Sequence, residues 1–438
     1  MVVSMTILKG RIPRRDALGV LGGAMVAACQ GGTAAQTPVT VGASVTSQAA
    51  APRAAPVVLS PADLGRWLDG ARAEALKRGI GSSTVQTALT GIEPLPKVVE
   101  LDRRQPEFVN TFSRYLGNAV SERRVSDGKA KLAEHAALLR GIAQDYDVPA
   151  RFIVAFWGLE TSYGRIMGDF PVVTALATLA FDGRREKFFR DELFNALTIL
   201  DRGHISLAQM KGSWAGAMGN TQFMPSTFLR HAVDRDGDTH INIWGSIPDA
   251  LASAANYLRS MNWEGERTWG REVRMPAGFD VALTSLDVDA KENIQPLAVW
   301  SDLGIRRADG GDLPRQDVPA SLVLPQGAKG PAFLVYENYR TILRWNRSAF
   351  YAIAVGHLAD RLIGGPALAA PANPAEPLRR EDVLALQEGL IGQKFLEGSA
   401  DGVMGSGTRQ AIRRFQKAKG LAPDGFADRA LISAVVGA

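Results

Sequence analysis

The sequence predicts a mainly α-helical protein with one small β-containing insertion and a separate helical tail. Three observations carry this. Apolar residues recur at helical spacing from about residue 60 to 260 and again from 348 to 363. Short alternating runs between Gly and Pro are confined to about 264–335. A linker rich in Gly, Ala and Pro, residues 364–377, then sets off residues 378–438.

Bulk properties narrow the class further. The 438 residues suffice for two or three domains. With 50 basic and 45 acidic residues the net charge is +5, too mild to indicate nucleic acid, and no basic tract laced with aromatics occurs. The 46% hydrophobic and 22% charged residues fit a soluble globular protein, expected to be a monomer. Cys29 is the single cysteine, so an internal disulfide is impossible. Ahead of it lie Lys9, Arg11, Arg14 and Arg15, then the run Ala17 to Ala28. This is a signal-peptide layout over residues 1–28, too short for a spanning helix. Val26-Ala27-Ala28-Cys29 resembles the lipobox of bacterial lipoproteins, which implies a lipid anchor on Cys29. Gln30, rather than Asp, after the cysteine favours the periplasmic face of an outer membrane. The alternative is an ordinary cleaved signal and a soluble periplasmic protein. Arg14-Arg15 also permits twin-arginine export. Residues 29–56 show no apolar period and read as a disordered tether, with a reach of about 30 Å as a coil.

The main domain is expected over 57–363. Ser60-Pro61 is an N-cap with Pro at the first helical position, and Trp67, Leu68, Ala71, Ala75 and Leu76 follow at helical spacing. Residues 101–108 break the helical run. The next helix presents Leu132, Ala136, Leu139, Ala143 and Tyr146 on one face and stops at Asp147-Val148-Pro149. A helix opened by Pro149 then carries FWGLETSYG, with Glu160 near its end. Phe152 and Phe156 lie eight and four residues earlier, on roughly the same face. An apolar setting and the helix C-terminal dipole both raise a carboxyl pKa, which suits a general acid. The plainer alternative is a surface Glu after an apolar helix. From Val172 to Leu200 the pattern is again helical.

Residues 211–228, KGSWAGAMGNTQFMPSTF, form a Gly-rich loop in which Gly212, Gly216 and Gly219 allow close backbone approach or positive φ. It could also be a plain turn between helices. Asp234, Asp236 and Asp238 then occupy positions 1, 3 and 5 of an EF-hand-like loop, with His240 at position 7 supplying a carbonyl. Position 12 is Gly245 rather than Glu, so Asp249 is the candidate closing carboxylate. The oxygen ligands suit calcium, in a structural role; a solvated acidic turn is the alternative. No HExxH pair exists, so catalytic zinc is not expected. A helix with Leu251, Ala254 and Leu258 carries Tyr257. The insertion, about 264–335, follows, then Tyr336 to Asn346 and a helix over about 348–363. The tail repeats Asp-Gly at 401–402 and 424–425, each a tight turn leading into a helix.

These motifs, taken together and in order, resemble the membrane-bound lytic murein transglycosylase B family. The matches are DRRQPEF at 102–108, GLETSYGRIMGDF at 158–170, KGSWAGAMGNTQFMPST at 211–227, DRDGDTHINIW at 234–244, ANYL at 255–258 and ENYRTILRWN at 337–346. Residues 381–435 resemble a peptidoglycan-binding domain, on LQ at 386–387, DGVMG, TRQAIRRFQ and the second Asp-Gly. The resemblance implies a lysozyme-like helical core whose substrate is peptidoglycan glycan strands. It implies cleavage of the β-1,4 bond between N-acetylmuramic acid and N-acetylglucosamine, leaving a 1,6-anhydro end. Carried across, Glu160 is the sole acid/base, and no cofactor is needed for the chemistry. Ser213, Gln222, Tyr257, Tyr339 and Asn346 match cleft positions, and Asp234, Asp236, Asp238 and His240 match the calcium loop. Trp345 departs from the pattern, standing where an aromatic with a hydroxyl is often expected.

Glycoside hydrolysis usually needs two carboxyl groups. One Glu without an evident partner fits intramolecular attack better. Two rivals remain open at this level. One is a muramidase-type hydrolase using Asp169 or Asp182 as second carboxylate. The other is a non-catalytic wall-binding lipoprotein.

Overall fold

The computed structural model describes residues 60–103, 108–109, 111–265, 267–369 and 376–437. The expected signal peptide, Cys29 and the tether 29–56 lie outside them. Among the described residues no helix is long and apolar enough to cross a membrane.

Two apolar cores build the main helical body. The first gathers around the helices Ala150–Thr161, Ile247–Ser260 and Ala349–Leu362, burying Phe152, Phe156, Leu258 and Val355. The second gathers around Pro61–Lys77, Val172–Phe181, Glu186–Asp201 and Pro225–His231, burying Leu68, Leu176, Leu193 and Phe228. Tyr257 and Trp345 pack against both cores and so mark the seam between them. The Ala150–Thr161 helix buries almost every side chain it has. A helix apolar on all sides is a central core helix.

Local chemistry sets the element boundaries. Ser60 caps the first helix by accepting from Asp63 N–H at 3.3 Å. Its buried stripe is Leu64, Leu68, Ala71 and Ala75. Leu76 is 49% exposed rather than inward, because one residue past Ala75 turns it about 100° off that stripe. The expected helix ending at Tyr146 is two helices, Glu122–Glu134 and Ala136–Tyr146, broken at His135. The stretch 172–200 is also two helices, turned at Gly183 with φ +84°. Helix Pro96–Arg103 continues through Asp102, whose nearly buried carboxylate pairs with Arg184 at 3.0 Å and with Arg185.

The insertion forms an antiparallel five-stranded sheet in the order Gln295–Pro296, Pro319–Val323, Ala332–Val335, Gly270–Arg274, Arg306–Arg307. Its core holds Trp300, Leu322 and Leu334. The C-terminal unit packs the helices Arg380–Gly392, Ser406–Ala418 and Arg429–Val436 around Leu386, Ile412 and Phe415. Each Asp-Gly turn there is clamped by a glutamine from a preceding helix. Gln387 accepts from Gly402 N–H at 2.8 Å and donates to Asp401 at 2.8 Å. Gln416 does the same for Gly425 and Asp424, both at 2.8 Å. The second copy also faces the insertion, where Asp424 accepts from Ala328 N–H at 2.9 Å. Arg413 donates to the carbonyl and hydroxyl of Thr284 at 3.0 and 2.9 Å. Strand 378–379 pairs antiparallel with 108–109.

Candidate active site

Glu160 ends the central helix at the seam of the two cores. Thr161 and Ser162 terminate the helix, Ser162 in the left-handed region with φ +51°. The Glu160 carboxylate accepts from Trp345 Nε1 at 2.9 Å and from the Tyr351 hydroxyl. Burial pushes its pKa up to about 7, and the two donors pull only partly against that. The Tyr351 hydroxyl, itself pushed well above the ordinary range by burial and by Glu160, stays a proton donor. Tyr115 lies near enough to feel the Glu160 charge. Its hydroxyl has no hydrogen-bond partner among the described residues, and its ring packs on Phe350. Among the described residues no other carboxylate contributes to the shift at Glu160. Asp182 is tied to Arg103 at the end of its helix, and Asp169 is exposed. Neither is presented to Glu160 as a second carboxyl group.

Aromatic packing fixes the donors. Trp345 lies 4.5 Å from Phe156, 5.3 Å from Phe223 and 5.0 Å from Tyr257, measured between ring centroids. Tyr257 donates its hydroxyl to the Arg344 carbonyl at 2.7 Å, which ties the Ile247–Ser260 helix to the segment that bears Trp345. At the position that departs from the family pattern, the indole N–H of Trp345 meets the acid.

The Gly-rich loop forms the second wall. Residues 170–171 pair antiparallel with 211–212. A Cβ on Gly212 would stand 2.1 Å from the Ala217 carbonyl, so only glycine fits. Ser213 closes the turn, its Oγ accepting from Ala217 N–H at 3.0 Å. Gln222, with φ +49°, donates Nε2 to Met167 and Gly219 carbonyls, both at 3.0 Å. Its Oε1 stays without a partner among the described residues. Buried Asn220 joins three pieces. It accepts from Trp157 Nε1 at 2.9 Å, and it donates to the carbonyls of Ile243 and Trp244 at 3.1 and 3.0 Å. Its own carbonyl accepts from Thr161 Oγ1 at 3.1 Å. The Glu160 helix, the glycine loop and the end of the acidic loop are thereby locked together.

Of two further expected site residues, one faces the core and the other a groove. Tyr339 is fully buried, its hydroxyl donating to the Val288 carbonyl at 3.2 Å, so it offers no face to a sugar. Its helix, Glu337–Trp345, turns that side inward to the core. Asn346 is half-buried and lines a groove of about 830 Å³ beside Trp345.

The acidic loop brings Asp234, Asp236 and Asp249 carboxylate oxygens within 4.8 Å of one another. Asp238 is outside that cluster, its Oδ1 accepting from His240 N–H at 2.7 Å, and the His240 ring is exposed. Asp249, wholly buried, accepts from Arg235 and Asn242 N–H at 2.7 and 2.8 Å. Burial raises its pKa, and neighbouring Asp236 adds to this. Three converging carboxylates, one of them desolvated, fit a hard divalent cation with oxygen ligands.

Tyr351, Tyr115 and Asn220 are not singled out as site residues by the sequence, where Trp345 enters only as a departure from the family pattern. The cue for Tyr351 is only its place on the last helix of the body.

Comparison with known proteins gives consistent results. Residues 63–360 match the transglycosylase SLT domain family and 379–435 match a peptidoglycan binding domain family. The chain is 30% identical over 301 residues to membrane-bound lytic murein transglycosylase B of Escherichia coli, covering 65% of this chain and 79% of that one. It is similar to the crystal structure of SltB3 from Pseudomonas aeruginosa in complex with NAG-anhNAM-pentapeptide. There the TM-score is 0.82 at 43% identity, covering 85% of this chain and 99% of the other. The structure of Escherichia coli lytic transglycosylase Slt35 in complex with calcium aligns with TM-score 0.56 at 29% identity, over 69% of this chain and 92% of that one.

Proposed function

The chain belongs to the transglycosylase SLT domain family and is a lytic transglycosylase acting on peptidoglycan, in which we propose that Glu160 alone serves as acid and then base. The observation that carries this is a largely buried carboxyl group, held by two neutral donors, with a pKa raised to about 7 and no carboxylate partner among the described residues. Protonated Glu160 gives its proton to the glycosidic oxygen as the bond from the muramyl anomeric carbon breaks. The leaving strand departs with a 4-hydroxyl on N-acetylglucosamine. The resulting carboxylate takes the proton of the muramyl 6-hydroxyl as that oxygen bonds to the anomeric carbon. Glu160 is then protonated again, no water is consumed, and the product carries a 1,6-anhydro ring. Tyr351 and Trp345 hold the carboxylate in place and stabilise it while it is charged.

The other assignments follow from position. Tyr115, with its free hydroxyl near Glu160, and Gln222, with its free Oε1 on the loop, contact sugar; Ser213 and Tyr257 shape the walls. Asp234, Asp236 and Asp249 would hold a structural calcium ion, which would supply no chemistry to the cleavage and would secure the loop behind Asn220. The relative named as membrane-bound places related chemistry in the cell envelope. A lipid on Cys29 and the tether that follows would let a monomer work from a membrane; the C-terminal unit grips the wall.

The test is mass spectrometry of fragments released from purified sacculi by the wild-type protein and by Glu160→Gln. Anhydro-muropeptides from the wild type alone support this reading. Reducing-end products would establish a hydrolase, and equal release by both proteins would remove Glu160 from the chemistry.

A further inference from the structure

The C-terminal unit contains one binding arrangement twice, and only one copy is filled. In the second copy Asp424 and Gly425 form the turn. Asp424 Oδ1 accepts from Gln416 Nε2 at 2.8 Å and from Phe426 N–H at 2.9 Å. Its Oδ2 is left for another segment and accepts Ala328 N–H of the insertion at 2.9 Å. Gly327 sits directly on the same platform. A Cβ there would stand 2.7 Å from both Asp424 Oδ2 and Phe426 Cβ. The occupant of this copy is thus a backbone amide between two small residues. A carboxylate oxygen takes its N–H, and an apolar side chain lies against it.

The first copy repeats the turn bond for bond. Asp401 Oδ1 accepts from Gln387 Nε2 and from Val403 N–H, both at 2.8 Å. Gln387 holds Gly402 N–H as Gln416 holds Gly425 N–H, again both at 2.8 Å. Val403 stands two residues after its aspartate, in the place of Phe426. The space over each turn glycine is closed, by Arg380 over Gly402 and by Leu286 over Gly425. The outer face is where the copies differ. Asp401 is exposed and its Oδ2 has no partner among the described residues, and Val403 is 44% exposed. Hydrogen bonds from Gln387 and then from Val403 N–H hold the Asp401 carboxyl below its ordinary range, so it is an ionised acceptor at neutral pH. A carboxylate oxygen and an apolar side chain therefore stand together, fixed by the turn, where the other copy seats an amide.

Charge selects among amides. Arg380 donates to the Asp401 carbonyl at 2.8 Å and so stays beside the carboxylate, which leaves no excess positive charge to draw an anion. A neutral secondary amide that carries a methyl group matches both halves of the platform. The acetamido group of an N-acetylated sugar is such an amide, and it recurs on every sugar of a glycan strand. Resting on the reading that the C-terminal unit grips the wall, we propose that Asp401 and Val403 form a glycan-binding site in which Asp401 Oδ2 accepts an acetamido N–H and Val403 packs on the acetyl methyl group.

Asp401→Asn is the direct test, because it keeps one oxygen for Gln387 and Val403 and turns the outward acceptor into a donor. Full-length protein carrying Glu160→Gln, which stops cleavage, is sedimented with purified sacculi, either native or stripped of peptides by an amidase. Adding Asp401→Asn is expected to weaken binding about tenfold on both, and adding Val403→Ser a few-fold. With Glu160 restored, Asp401→Asn should cleave short soluble strands at the wild-type kcat/KM. A loss confined to native sacculi overturns the acetamido assignment in favour of a peptide amide. Unchanged affinity on both sacculi, or an equal loss on short strands, overturns the site. If the Glu160→Gln protein binds sacculi no tighter than short strands, the wall-gripping reading on which the site rests falls instead.

Discussion

Glu160 is a carboxyl group kept neutral by its surroundings, and the consequences can be measured at that residue. Burial raises its pKa from 4.5 to about 7. Below pH 4 the folded and unfolded states are both protonated and the residue is neutral in stability. As pH rises from 4.5 to 7 the unfolded state ionises while the folded state keeps its proton, so stability falls across that window. Glu160→Gln, which carries no such penalty, is therefore expected to unfold about 2–3 kcal/mol harder than wild type at pH 8 and to match it at pH 4, by urea titration at both pH values. Catalysis needs the protonated form first, so kcat/KM should fall above about pH 7. Tyr351→Phe removes a donor that favours the carboxylate. The alkaline limb should then move upward by about one unit and kcat should drop, read from the pH profile. A merely structural role for Tyr351 would lower activity without moving the limb.

Single elements owe their positions to a few buried polar groups. Asn220 connects the Glu160 helix, the glycine loop and the segment after the acidic loop through four hydrogen bonds. Asn220→Ala leaves buried Trp157 Nε1 and the Trp244 carbonyl without their partner, while the Ile243 carbonyl keeps the backbone N–H of residue 220. A loss of about 2–4 kcal/mol in unfolding free energy is expected from denaturant titration, with kcat lowered because the loop carrying Gln222 loosens. The acidic loop should respond to metal. Calcium is expected to raise the melting temperature by several degrees and a chelator to reverse it, while Asp249→Asn abolishes the response. No calcium shift in the wild type would mean that backbone N–H groups alone satisfy Asp249. Asp238 stands apart from the three converging carboxylates. EF-hand spacing fixes only the first carboxylates, and Asp249 reaches the cluster from the first turn of the next helix.

At the scale of the molecule, the C-terminal unit is docked rather than trailing. Arg413 donates to Thr284, and Asp424 receives Ala328 N–H. Arg413→Ala should raise hydrogen exchange at residues 284–286 and 327–328 and lower release from intact sacculi, while cleavage of short soluble strands holds. Equal loss on both substrates would point to a folding defect instead.

The sequence by itself determined the mainly helical class with its small sheet and C-terminal helical unit, and it pointed to Glu160, because each is written in local terms. Helical periodicity, glycine at positive φ, Asp-Gly turns and an apolar run around one carboxylate all act between residues close in the chain. It did not determine who touches Glu160. Trp345 and Tyr351 come from 185 and 191 residues further along. The same distance effect misplaced Tyr339, whose motif is intact but whose side faces the core, and hid Asn220, an ordinary amide until three segments converge on it. The cations around Asp289 are of the same kind. Lys291 and Arg347 lie far apart in the chain, and only the packing of the insertion against the main body sets them around one carboxylate. Tertiary structure decided these because hydrogen bonding and charge depend on distance through space, and chain order constrains that distance only over a few residues.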